Sequence, residues 1–334
     1  MQAMLLTHPA AIDTAPLQLR DLPTPEPAAG EIRIRVAACG VCRTDLHVVE
    51  GELPPQLDQV VPGHQVVGVV DRCGRNAGRF AEGERVGIAW LRSTCGTCRS
   101  CRAGNENLCT QARFTGYHAN GGYAEYAVVR EDFAYPLPAT LGDAEVAPLL
   151  CAGIIGYRAL RRAEIRPGCR LGLYGFGSSA HIAIQVARHL GCTVYVMTRD
   201  ERHQQLARAL GATWAGGAST PPPEKLDSAV VFAPVGDLVL PALEALDDGG
   251  TVAVAGIYLT DIPTLSYERH LFREKNLRSV TANTRQDGEE LLRIAAEIPI
   301  RPHTTAFPLH DANRALQQLK HDGIQGSGVL AVNV

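Results

Sequence analysis

The sequence predicts an α/β protein in which a β-rich domain is interrupted by a doubly wound parallel sheet. Three observations carry this. Residues 31–38 read EIRIRVAA, the alternation of a strand with one buried face. From about residue 150 short apolar strands alternate with helical stretches at the spacing of βαβ units. Beyond residue 284 the character is mixed again, so the tail is expected to rejoin the first domain. The expected division is 1–151 with 284–334 for one domain and 152–283 for the other.

In the first domain, residues 65–71 (QVVGVVD) and 123–129 are further strand candidates. In the second, strands are expected at 170–174, 194–198, 227–233, 251–257 and 277–282. Helices are expected at 178–190 and 204–210, with a third ending near residue 247. The tail is read as helix 287–297, strand 304–308, helix 312–320 and strand 329–334. Thr220 and the three prolines after it form a surface loop inside the second domain.

Composition excludes several classes. The chain has 334 residues, 46% apolar and 20% charged, with a formal net charge of −3. That is a globular profile without a basic nucleic-acid footprint. No apolar run reaches the roughly 18 residues of a membrane span. The start, MQAMLLTHPA, lacks a secretory pattern, so a reducing, cytoplasmic compartment is expected.

Ten cysteines therefore point to metal rather than disulfides. Cys95, Cys98, Cys101 and Cys109 are spaced C-x2-C-x2-C-x7-C. Four thiolates on one short loop close a tetrahedron with no open position, which makes a structural zinc site. Arg99 and Arg102 offset its negative charge. An iron–sulfur cluster takes similar ligands and stays open at this point.

A second donor set is more scattered. Cys42 follows the first strand, His64 stands in Pro62-Gly63-His64, and Cys151 lies where the chain changes character. Two thiolates and an imidazole form a catalytic zinc shell with a free fourth position. Read alone, such a cysteine is more often a small core residue and such a histidine a hydrogen-bonded structural one.

G-V-C-R-T-D-L-H, P-G-H, C-G-T-C-R-S-C-x7-C and L-C-A-G, in that order, resemble the zinc-containing alcohol dehydrogenases of the medium-chain dehydrogenase/reductase superfamily. The likeness covers essentially the whole chain. It implies a GroES-like catalytic domain, a Rossmann cofactor domain and an active site in the cleft between them. It implies hydride transfer between an alcohol or aldehyde and a nicotinamide cofactor, with two zinc ions per subunit. A homodimer or homotetramer, joined through the edge strand near 277–282, is a further implication.

The resemblance also assigns roles. Asp45 matches the carboxylate that orients the zinc-bound His64. Thr44 matches the hydroxyl that bonds the substrate oxygen, and His47 the end of a proton relay. Arg43 matches a pyrophosphate contact. Two departures stand out. Gln65 replaces the usual Glu after the His of P-G-H, and Gly326-Ser327-Gly328-Val329 lacks the arginine often found there. Trp90, Leu91 and His118 are candidates for the substrate lining.

Gly175-x-Gly177-x-x-Ala180 lies between an expected strand and helix, the context of a dinucleotide fingerprint. Gly175 permits the tight turn, Gly177 a close pyrophosphate, and Ala180 close helix–strand packing. The second strand then ends in Thr198-Arg199-Asp200. Thr198 occupies the position of the acid that selects NAD(H), and Arg199 suits a 2′-phosphate. NADP(H) is therefore expected over NAD(H), although Asp200 turned inward would restore an acid. The alternatives are a polyol dehydrogenase or enoyl reductase of the same superfamily, or a non-catalytic zinc-binding protein with this fold. The sequence does not name the substrate.

Overall fold

The structure, a computed structural model, describes residues 1–333. The chain divides into two compact units. One holds Met1–Cys151, Ala282–Glu297 and the chain from Arg301 on; the other holds Ala152–Thr281 and Ile298–Ile300. The return to the first unit thus comes at Ala282, two residues ahead of the expected 284.

The first unit is built on a seven-stranded sheet. Its centre is the long strand Glu31–Val41, paired antiparallel with Gln65–Cys73 on one side and Ser327–Ala331 on the other. Ile32, Ile34 and Val36 are fully buried on one face, as the alternation requires. Arg85–Ile88 and Ala134–Pro136 continue the sheet beyond Gln65–Cys73, and Thr304–Pro308 lies outside Ser327–Ala331. Tyr126–Arg130 pairs with the first half of the central strand. The terminal strand expected at 329–334 runs over Ser327–Ala331, and Val334 lies outside the described residues.

One strand starts later than the sequence suggests. Tyr123–Glu125 falls outside Tyr126–Arg130 because its backbone is engaged elsewhere. Tyr123 N–H donates to the Pro62 carbonyl at 3.0 Å, and the Tyr123 carbonyl accepts from Met4 N–H at 2.8 Å. That crossing fixes Tyr123 beside the Pro62–His64 segment.

The second unit carries six strands in the spatial order Trp214–Gly216, Thr193–Met197, Arg170–Tyr174, Leu226–Val231, Leu246–Val254 and Asn276–Ser279. Every neighbouring pair is parallel. Helices Ser178–His189, Glu201–Ala209 and Val239–Ala245 connect successive strands, giving the Rossmann arrangement. Trp214–Gly216 is an edge strand that the apolar pattern does not reveal. Helix Glu201–Ala209 begins three residues before the expected 204 because Asp200 caps it, accepting from Arg202 N–H. Among the described residues no helix is long and apolar enough to cross a membrane.

Candidate active site

Val41 ends the central strand, and the chain turns at Cys42 into helix Arg43–Glu50. Cys42 is the residue before the helix, with extended backbone angles. Its N–H donates to Asp45 Oδ2 at 2.9 Å, so the carboxylate in the first turn fastens the ligand loop. Gly51, at φ 77°, ends the helix.

Asp45 is 1% exposed and collects four donors. Besides Cys42 N–H, it accepts from Gly63 N–H at 3.2 Å, the Tyr123 hydroxyl at 3.2 Å and His64 Nδ1 at 2.8 Å. The last contact sets the His64 tautomer: Nδ1 carries the proton and Nε2 holds the lone pair. Gly63 makes the approach possible. Its φ is 95°, and a Cβ there would stand 2.3 Å from the Tyr123 ring.

His64 is fully buried, and its Nε2 has no hydrogen-bond partner among the described residues. Donor atoms of Cys42, His64 and Cys151 all lie within 4.8 Å of one another, with 3.9 Å between the two sulfurs. Thiolates about 2.3 Å from one tetrahedral zinc stand roughly 3.8 Å apart. The set therefore fits a single zinc ion, and the orphaned, buried Nε2 is what such an ion would satisfy. A proton competes with a metal for that Nε2. Burial pulls the His64 pKa down, but Asp45 and the Cys42 thiolate outweigh it and lift the value to about 10. A hydrogen bond from Cys151 holds the Cys42 thiol well below its ordinary range, and the same bond pushes Cys151 up.

Thr44 Oγ1 is 3.8 Å from Cys42 Sγ. His47 lies one helical turn further, with Nδ1 against Glu52, a partner no local sequence pattern announces. Arg43 reaches Asp322 at 3.1 Å and the Leu319 carbonyl at 3.5 Å. Gly328 pairs with Val41, so the arginine-free segment does run beside the Cys42 loop. Gln65 is buried, and its side chain lies across Gly40. The three lining candidates separate. Trp90 sets its ring edge-on to His64 at 4.9 Å and stacks on Phe114. Leu91 is fully buried, whereas His118 packs on Tyr117 and Phe114.

The four-cysteine loop is also drawn together. Sulfur separations are 3.5 Å for Cys98–Cys101, 3.6 Å for Cys95–Cys109 and 3.9 Å for Cys95–Cys101. These again match the roughly 3.8 Å edge of a tetrahedron around one zinc. An iron–sulfur core, wider than one ion, would hold its thiolates further apart. Backbone N–H groups of Cys98, Cys101 and Gln111 point at sulfurs at 3.3–3.5 Å. Donors from Thr97 and Cys98 bring the Cys95 pKa down to about 6. Glu106, inside this loop, forms a forked ion pair with Arg285, tying the loop to a segment 179 residues away. Sequence spacing gives no sign of that anchor.

In the second unit, Gly175 has φ 89°, and a Cβ there would meet Ala233 N at 2.8 Å. Gly177 precedes helix Ser178–His189, yet a Cβ on it would meet nothing within 4 Å. The chain itself does not demand glycine at 177, while a phosphate at this helix end would. Ala180 is fully buried. Thr198 is buried at the end of its strand, and Arg199 is exposed. Asp200 gives both carboxylate oxygens to Arg202, at 2.7 Å in the closest contact, which holds its pKa at about 2.

Comparison with known proteins accords with this geometry. A sequence model of the alcohol dehydrogenase GroES-like domain matches residues 28–139, and one of zinc-binding dehydrogenases matches residues 180–297. A protein named "Probable alcohol dehydrogenase AdhA" from Mycobacterium tuberculosis is 54% identical, covering 99% of this chain and 97% of its own length. The cobalt- and zinc-bound thermostable alcohol dehydrogenase from Pyrobaculum aerophilum superposes with a TM-score of 0.88. It is 26% identical and covers 99% of both chains. A structure described as an NAD-dependent alcohol dehydrogenase gives a TM-score of 0.89 at 26% identity, over the full length of both chains. The chain belongs to the zinc-binding alcohol dehydrogenases of the medium-chain dehydrogenase/reductase superfamily.

Proposed function

We propose that this alcohol dehydrogenase is zinc-dependent and carries two zinc ions per chain. One would be held by Cys42, His64 and Cys151, the other by Cys95, Cys98, Cys101 and Cys109. The observation that carries the reading is the three-donor set with its orphaned His64 Nε2. A three-donor shell leaves a position open to substrate, whereas four thiolates leave none. When bound, zinc supplies a Lewis acid that makes an alcohol oxygen acidic, and a nicotinamide cofactor supplies the hydride acceptor.

The protein's part is positioning and proton movement. Asp45 orients His64, and Tyr123 and two backbone N–H groups orient Asp45. The Thr44 hydroxyl is proposed to receive the alcohol proton. His47 is proposed to hold it at Nε2, with Glu52 fixing the proton on Nδ1. His47→Ala should therefore slow alcohol oxidation mainly at low pH, by about 10–100-fold, within the usual range for one general base. At high pH bulk base replaces the relay, and the rates converge. The check is a pH profile of kcat/KM, and a profile parallel to the parent would exclude the relay.

Gly175, Gly177 and Ala180 are proposed to hold the cofactor pyrophosphate, with Arg43 as a further contact. For the cofactor itself NADP(H) is favoured, with NAD(H) as the alternative. Asp200 is committed to Arg202 and to capping its helix, which leaves Thr198 and Arg199 at the strand end. Arg199→Ala should lower kcat/KM for NADP by about tenfold, the worth of one charge-assisted contact, and barely alter NAD. A parent that prefers NAD, with no selective loss in the variant, would refute this. Small alcohols and aldehydes are the proposed partners, together with further copies of this chain in a dimer or tetramer. Thiolate zinc sites call for a reducing compartment, which supports a cytoplasmic location.

A further inference from the structure

Two of the ten cysteines belong to neither metal set and yet face each other. Cys169 and Cys192 have their sulfurs 3.3 Å apart, and both are buried. They stand one step before the first paired residues of two neighbouring parallel strands, Arg170 and Thr193. The ladder already includes them, because Thr193 N–H donates to the Cys169 carbonyl at 2.9 Å. Neighbouring strands lie about 4.8 Å apart. Bridged cysteines have Cα atoms roughly 4.4–6.8 Å apart, so the backbone already meets the requirement of a disulfide.

We propose that Cys169 and Cys192 form a reversible disulfide when the protein meets a two-electron thiol oxidant of the peroxide class. The Cys169 thiolate attacks one peroxide oxygen; an S–O bond forms, the O–O bond breaks and hydroxide leaves. The Cys192 thiol then attacks the Cys169 sulfur; an S–S bond forms, the S–O bond breaks and the oxygen departs as water. In sum, two thiols and one peroxide give one disulfide and two waters. The hydrogen bond from Cys192 brings the Cys169 pKa down to about 7, which supplies the attacking thiolate at neutral pH. Cys169 is the 8% exposed member and Cys192 is fully enclosed, which makes Cys192 the resolving thiol.

The bond would tie together the starts of the neighbouring strands Arg170–Tyr174 and Thr193–Met197. It lies at the opposite end of Arg170–Tyr174 from the glycine loop, a distance of about 16 Å along the strand. Its effect is therefore on stability and not on cofactor binding.

The zinc-loaded protein is treated with increasing hydrogen peroxide, its free thiols are alkylated in denaturant, and it is digested without reductant. Released zinc is followed with a colorimetric chelator. Expected is a peptide pair joining Cys169 and Cys192, abolished by dithiothreitol, at doses that release no zinc. The oxidised protein should unfold several degrees higher than the reduced one, with the cofactor KM within about twofold; Cys192→Ser should show no such rise. Both thiols still alkylated at doses that release zinc would overturn the proposal. So would either cysteine linked mainly to another residue, and the peptide map needs no variant to decide.

Discussion

Cys42→Ser is expected to reduce alcohol turnover by at least about 10³-fold while the fold survives, because a Lewis acid supplies several kcal/mol of transition-state stabilisation. The substitution removes one donor from a set of three, so no spare ligand compensates. Zinc content should drop from two ions per chain to about one, since the four-cysteine loop is untouched. His64→Ala should have the same effect on turnover with a larger cost in stability. It strips the buried Asp45 of its 2.8 Å partner and leaves a carboxylate in a dry pocket. Two backbone N–H groups and the Tyr123 hydroxyl remain on Asp45, so the loop should hold together. Unchanged activity in Cys42→Ser would remove this site from the reaction.

The second large effect is on stability. Cys98→Ser should lower the thermal midpoint well before it touches chemistry. The first part of the loop, Cys95 to Cys101, lies near the surface. Cys95, Cys98 and Cys101 are only half-buried, and the residues between them are mostly exposed. Zinc held by the four thiolates would therefore be the principal cross-link of the loop. Losing about 3 kcal/mol would shift the midpoint by roughly 6–12 °C in a unit of this size. The Arg285–Glu106 pair should keep the loop attached at one end even then. Chelator should lower the parent towards the variant and leave the variant itself nearly unmoved. A midpoint equal to the parent's, with two zinc ions retained, would show that this loop does not stabilise the fold.

The contrast between these variants reflects how each site is written in the chain. The four-cysteine loop is local, so its spacing reveals it directly. Cys42, His64 and Cys151 are brought together by the sheet, and the sulfurs that meet at 3.9 Å are 109 residues apart. Spacing alone leaves such a set open, and only the order of several motifs marks it. Residues that act through long-range contacts stay silent in the sequence. Tyr123 looks like the start of a strand, yet its hydroxyl supports Asp45. Glu52, two residues past helix Arg43–Glu50, meets His47 although nothing in the local sequence announces it. Strand ends escape the sequence where backbone partners, not side-chain alternation, decide them. The stretch expected at 251–257 in fact starts at Leu246 and stops at Val254, following its ladders to Leu226–Val231 and Asn276–Ser279.

The most direct test of the whole account is zinc reconstitution followed by nicotinamide absorbance. Protein stripped by chelator is reloaded in steps and assayed at each step against a panel of alcohols with both NAD and NADP. If four thiolates fill first and the three-donor set second, the first equivalent should restore the thermal midpoint without turnover. The second should then restore alcohol oxidation. Full turnover of the zinc-free chain, or none with two zinc ions bound across the panel, would contradict a zinc-dependent alcohol dehydrogenase centred on Cys42, His64 and Cys151.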